Sequence, residues 1–168
     1  RRLKSRVAVV GLIAGAGITR FFEKSVIARR KGGSKAATKV LREVITATRP
    51  NPPPMIDGDS LTLVLTYGIR STPLEDLRGL TVPVFVAHGD ADKKVPIETA
   101  DAFVAELLRE PTRALRYLIY PGCDHGFFDA KGRRRAGDVL RDFIAWAQRR
   151  KKGRSIAIKT PNAQRPAR

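Results

Sequence analysis

Two kinds of hydrophobic run alternate along this chain of 168 residues. In the first kind nearly every position is apolar: residues 5–10 (SRVAVV), 61–67 (LTLVLTY), 82–88 (VPVFVAH) and 115–120 (LRYLIY). Rich in β-branched residues and bounded by glycine, proline or aspartate, these runs predict short strands buried on both faces, with a short helix as the alternative over 61–67. In the second kind, apolar residues recur every three or four positions. Ile18, Phe21, Phe22, Val26 and Ile27 do so over 18–30, and Ala37, Val40, Leu41, Val44 and Ile45 over 36–49. The same spacing returns with Ala100, Phe103, Val104 and Leu107 over 96–108. It returns again with Val139, Leu140, Phe143, Ile144 and Trp146 over 136–150. Each of these stretches is an expected amphipathic helix. A further helix start stands at Thr72-Pro73-Leu74-Glu75-Asp76-Leu77, with proline at its first position and acids in its first turn. Lys31-Gly32-Gly33-Ser34 separates the first two helices, and Asn51-Pro52-Pro53-Pro54 ends the second.

Strands alternating with helices predict an α/β fold, an open and mostly parallel sheet with flanking helices. The length suits one domain, expected over residues 1–150, with 151–168 as a basic, disordered tail. No apolar run reaches the roughly 18–20 residues a membrane span requires. The single cysteine excludes an intramolecular disulfide, and a cytoplasmic location is expected. Formal net charge is +17, but it is unevenly placed. Lys+Arg against Asp+Glu is 13 to 2 over residues 1–49, 12 to 14 over 50–148, and 8 to none over 149–168. The excess therefore sits at the two ends. The tail is expected to be a solvated extension with at most weak, salt-sensitive affinity for nucleic acid or acidic lipid. No interleaved aromatic residues accompany its charges.

Chemistry-bearing residues collect after two of the strands. Gly89-Asp90-Ala91-Asp92 is a turn signal that places two carboxylates beyond the run at 82–88, and His125 lies on the loop following 115–120. The carboxyl ends of strands are where open α/β sheets gather their ligands and catalytic groups. An acid after one strand and a histidine after the next follow the chain order of nucleophile–acid–histidine hydrolases. His88, ending a buried strand, is read as structural, and Cys123 as a small buried filler on the histidine's own loop. With two histidines and one cysteine, too few ligands exist for a zinc site. No cofactor is expected.

These segments resemble a known family. Gly89-Asp90-Ala91-Asp92-Lys93-Lys94-Val95-Pro96 is similar to the G-x-x-D-x-x-V-P segment around the catalytic acid of dienelactone-hydrolase-like and serine-aminopeptidase-like α/β-hydrolases. Pro121-Gly122-Cys123-Asp124-His125-Gly126-Phe127 resembles their P-G-x-x-H-G-F histidine loop. The resemblance makes Asp92, rather than Asp90, the acid that orients His125, and His125 the general base. It implies hydrolysis of small-molecule carboxyl esters or peptides through an acyl-enzyme. It covers about residues 5–150 and corresponds to the second half of that fold. A fragment of a larger or decayed gene product is expected on that ground. Its exposed strand edge would invite self-association.

Gly11-Leu12-Ile13-Ala14-Gly15 fits the spacing of the family's nucleophile elbow, G-x-S-x-G, with Ile13 in the serine's place and Ala14 supplying an oxyanion-hole N–H. Isoleucine has no atom able to attack a carbonyl. Impaired catalysis is therefore expected, and the alternative is a non-catalytic binding or interaction module. Ser25, Ser34, Ser60 and Ser71 have no elbow context. A dinucleotide-binding reading fails because Gly15-Ala16-Gly17-Ile18-Thr19-Arg20 ends in arginine instead of glycine.

Overall fold

The computed structural model describes residues 7–56, 59–65, 72–77, 82–110 and 114–151. In chain order the elements are β1 (Val10–Ile13), α1 (Arg20–Thr48), β2 (Met55–Ile56), β3 (Asp59–Ser60) and α2 (Leu61–Leu63). They continue as α3 (Pro73–Leu77), β4 (Val84–Gly89), α4 (Ile97–Leu108), β5 (Leu115–Tyr120) and α5 (Ala136–Lys151). β1, β4 and β5 form a parallel sheet in that order, with Val10 opposite Val84 and Val84 opposite Leu115. β2 and β3 make a separate antiparallel pair. The fold is α/β, a parallel sheet with flanking helices, and among the described residues no helix is long and apolar enough to cross a membrane.

β4 is buried at every position because helices cover both its faces. Alternate side chains of a strand point to opposite faces. Val84 and Val86 accordingly pack with Leu77, Ala100, Phe103, Val104 and Leu107 of α3 and α4. Phe85 and Ala87 pack on the other face with Val139 and Trp146 of α5 and with Cys123 and Phe127 of the loop after β5. Phe85 meets Phe143 edge-on at 5.3 Å and Trp146 at 5.7 Å, the spacing favoured by aromatic pairs. A smaller cluster of Phe21, Val40, Ala47, Ile56 and Val64 lies beneath α1.

Several elements differ from expectation. The first strand lies at Val10–Ile13 rather than 5–10, of which 5 and 6 fall outside the described residues, so it runs into the segment with the G-x-S-x-G spacing. Gly11 has a reason to be glycine there, since a Cβ would come within 3.2 Å of the Phe143 ring. The expected break between the helices at 18–30 and 36–49 is present: α1 is two helical runs joined at a kink where Gly32 and Gly33 leave helical geometry (Gly33 φ 65°, ψ −159°). The strand expected at 61–67 is instead the short α2 at its start, and residues 66 and 67 lie outside the described residues. α4, β5 and α5 fall within a residue of expectation, yet Leu140 and Ile144 of α5 and Leu41 and Ile45 of α1 are exposed, so both apolar faces are narrower than the sequence pattern. Of the tail expected over 151–168, Lys151 ends α5 and 152–168 lie outside the described residues.

Candidate active site

The turn leaving β4 is built around a carboxylate. Asp92 is 1 % exposed, and its Oδ1 accepts the backbone N–H groups of Lys94 (2.8 Å) and Val95 (2.9 Å). An aspartate accepting two main-chain donors downstream closes a local turn and is itself locked in one rotamer. Its Oδ2 faces Nδ1 of His125 at 2.9 Å. A carboxylate oxygen only accepts, so the hydrogen lies on Nδ1 and the ring's Nε2 presents its lone pair.

The histidine loop is held just as locally. Asp124 Oδ1 accepts Gly126 N–H and Phe128 N–H, both at 2.9 Å, and Phe127 adopts φ 59° while its ring packs edge-on against Tyr120. A left-handed conformation in a bulky residue persists only where its surroundings enforce it. Here the buried Phe127 ring and the bond from Arg135 N–H to the Phe127 carbonyl (2.7 Å) do so. His125 is thereby left 39 % exposed at the end of the loop while its partner Asp92 is buried. Asp90, the competing carboxylate, does not reach His125. Its Oδ1 accepts Gly122 N–H at 2.6 Å and ties the acid loop to the histidine loop.

Ile13 and Ala14 lie at the carboxyl end of β1. A nucleophile elbow needs the reactive residue on a sharp turn directly between strand and helix. Ile13 instead sits in the β1–β4 ladder opposite Ala87, and α1 begins only at Arg20, capped by the Thr19 hydroxyl. Ala14 adopts φ 51°, and its N–H donates to the Ala87 carbonyl at 2.9 Å. The Ala14 amide is thus engaged by the sheet at the point where the chain turns out of β1. Among the described residues, the hydrogen bond to Asp92 is the only one the His125 ring makes.

Two groups near the pair escaped the sequence. Glu23, on the first turn of α1, feels the charges of both Asp92 and His125. Burial raises its carboxyl above the usual glutamate range; Arg20 offsets part of this rise and the Asp92 charge adds to it. His88, read as structural, lies with Nε2 3.4 Å from Asp92 Oδ2. The Glu23 approach depends on how α1 packs against the acid loop, whereas His88 and Asp92 are four residues apart on the same strand and turn. Cys123 is buried, and burial raises its thiol.

Residues 65–154 match the prolyl oligopeptidase family. The chain belongs to that family. The matched stretch contains Asp92 and His125 but not Ile13. Over 75 residues the chain is 37 % identical to the non-heme chloroperoxidase of Burkholderia pyrrocinia, a match covering 44 % of this chain and 24 % of that protein. Among solved structures it is similar to Est1E from Butyrivibrio proteoclasticus, with 16 % identity and a TM-score of 0.48 over 88 % of this chain and 54 % of that one. It is also similar to the esterase Est2 of Thermogutta terrifontis, with 20 % identity and a TM-score of 0.44 over 84 % and 44 %. The chain thus spans about half the length of the solved proteins it matches, and its match covers about a quarter of the chloroperoxidase.

Proposed function

We propose that this member of the prolyl oligopeptidase family carries the acid–base half of a serine-hydrolase-type site for carboxyl esters or peptides. Acyl transfer is impaired in it, because no hydroxyl or thiol is hydrogen-bonded to His125 among the described residues. One observation carries the reading: a buried carboxylate, fixed by two backbone N–H groups, meets Nδ1 of a part-exposed histidine at 2.9 Å. Asp92 holds the ring in the tautomer with Nε2 bare and stabilises the imidazolium formed when Nε2 takes a proton. Nε2 then serves as general base toward an attacking group and as general acid toward the leaving group. Family membership supports an acyl–nitrogen or acyl–oxygen bond as the one cleaved.

Two assays test this together: labelling with a fluorophosphonate probe mapped by peptide mass spectrometry, and hydrolysis of p-nitrophenyl acetate. The expected result is no labelled serine, with slow hydrolysis in which the His125 imidazole acts alone. A positioned imidazole base is worth about 10²–10⁴-fold, so His125→Ala should return the rate to background. The chain's other histidine, His88, is fully buried and does not confuse the result. Labelling of one serine that disappears in His125→Ala would overturn the impairment. Hydrolysis indifferent to His125→Ala would remove the reading.

A further inference from the structure

Asp92 stands between two histidines, and only one of them is explained by acid–base chemistry. His88 is the residue before the end of β4 and is completely buried. Its Nε2 lies 2.9 Å from the Val95 carbonyl and 3.4 Å from Asp92 Oδ2, while its buried Nδ1 has no hydrogen-bond partner among the described residues. Both groups facing Nε2 only accept, so Nε2 carries the hydrogen and Nδ1 is the bare nitrogen. A buried polar atom left without a partner is destabilising. An apolar side chain would fill the same volume without that cost, so filling space does not account for a histidine here. What the imidazole alone supplies is an N–H bonded to the carbonyl at one end of the acid turn and lying 3.4 Å from the carboxylate at the other.

We propose that His88 is a positioning residue for Asp92. Its Nε2–H joins the Val95 carbonyl to Asp92 Oδ2 and fixes the carboxylate rotation that presents Oδ2 to His125. The backbone N–H groups of Lys94 and Val95 secure Oδ1, and His88 Nε2, held by the Val95 carbonyl, stands 3.4 Å from the other oxygen. The proposal rests on the Asp92–His125 pair being the functional one.

Histidine-selective ¹⁵N NMR tests it, because the chain has only two rings to assign and each tautomer has its own nitrogen shifts. In the unaltered chain His88 should carry its hydrogen on Nε2 and His125 on Nδ1. Hydrogen on Nδ1 of His88 would overturn the proposal without any variant being made. In folded His88→Leu, the His125 tautomer ratio should move about tenfold away from Nδ1–H, the worth of one hydrogen bond to a charged group. His88→Gln, whose amide can still donate across the turn, should restore most of the ratio. An unchanged ratio in His88→Leu would reduce His88 to a core filler while leaving the functional pair intact. A His125 ring already lacking Nδ1–H in the unaltered chain would instead sink the functional reading itself.

Discussion

Replacing Gly89 by alanine strikes the seam between the two loops that carry the candidate site. A Cβ at Gly89 would lie 2.2 Å from the Cys123 carbonyl oxygen, 2.8 Å from its carbon and 3.0 Å from the Asp124 oxygen. All three are backbone atoms, so no side chain can swing aside, and the loops must separate by roughly 1 Å to restore ordinary contact. The oxygen struck is the one that accepts Ala91 N–H at 3.0 Å, so the bond closing the acid loop onto the histidine loop is lost as well. Overpacking in a well-filled interior costs about 1–3 kcal/mol, and rigid backbone on both sides puts this case at the upper end. With about 1 kcal/mol for the lost hydrogen bond, destabilisation of about 3–4 kcal/mol is expected. A shift of that size would also pull His125 Nδ1 out of hydrogen-bond reach of Asp92, and 1 Å of misplacement is enough to cost about 10²-fold in a positioned catalytic group. Urea denaturation measures the first effect and His125-dependent hydrolysis of p-nitrophenyl acetate the second. Gly137→Ala is the control: nothing lies within 4 Å of its added Cβ, and in α5 it should be neutral or stabilise by about 0.5 kcal/mol. A Gly89→Ala chain as stable as its parent, with unchanged hydrolysis, would refute the view that this contact sets the site.

Three more outcomes follow from the same geometry. Burial raises the folded-state pKa of Glu23, so its ionised form opposes folding. Relative to Glu23→Gln, the parent should be at its most stable below the ordinary glutamate value of 4.5 and lose stability as pH rises through the raised value, as measured by urea midpoints across a pH series. Cys123 is 1 % exposed with its thiol raised by burial, so iodoacetamide at neutral pH should modify the denatured chain and spare the native one; rapid native labelling would contradict the packing described. Ile13→Ser should remain unlabelled by a fluorophosphonate, because residue 13 is paired with Ala87 in the strand ladder; specific labelling of the new serine would show that the site reaches it.

The parts of the fold legible in the sequence are those where one local pattern has one meaning. The apolar run of β4 and the spacing of Ala100, Phe103, Val104 and Leu107 in α4 each correspond to what is buried. The glycines of residues 11–17 misled because glycine marks close approach as readily as a turn. Gly11 makes room for Phe143 inside a strand, while Gly17, at φ 56° and with Phe103 Cβ 2.6 Å from where its own Cβ would stand, does turn the chain. Residues 61–67 alternate and cluster apolar positions in a way that suits either strand or helix, and the short helix wins over its first three residues. At the site, the turn chemistry of residues 89–96 and 121–127 pointed to Asp92 and His125, which the structure brings to 2.9 Å. The approach of Glu23 was hidden, since it joins residues through tertiary packing that no spacing encodes, while His88 lies only four residues from Asp92 and its role turns on which ring nitrogen is bonded.

The measurement closest to the central claim is the tautomer of His125, read from its two ring nitrogens by ¹⁵N NMR in the unaltered chain and in Asp92→Asn. The account predicts hydrogen on Nδ1 and a bare Nε2 when Asp92 is present. In Asp92→Asn the amide oxygen still accepts Lys94 and Val95 N–H, so its NH₂ group turns to Nδ1 and drives the hydrogen to Nε2. A ring carrying its hydrogen on Nε2 in the unaltered chain, indifferent to residue 92, would contradict it.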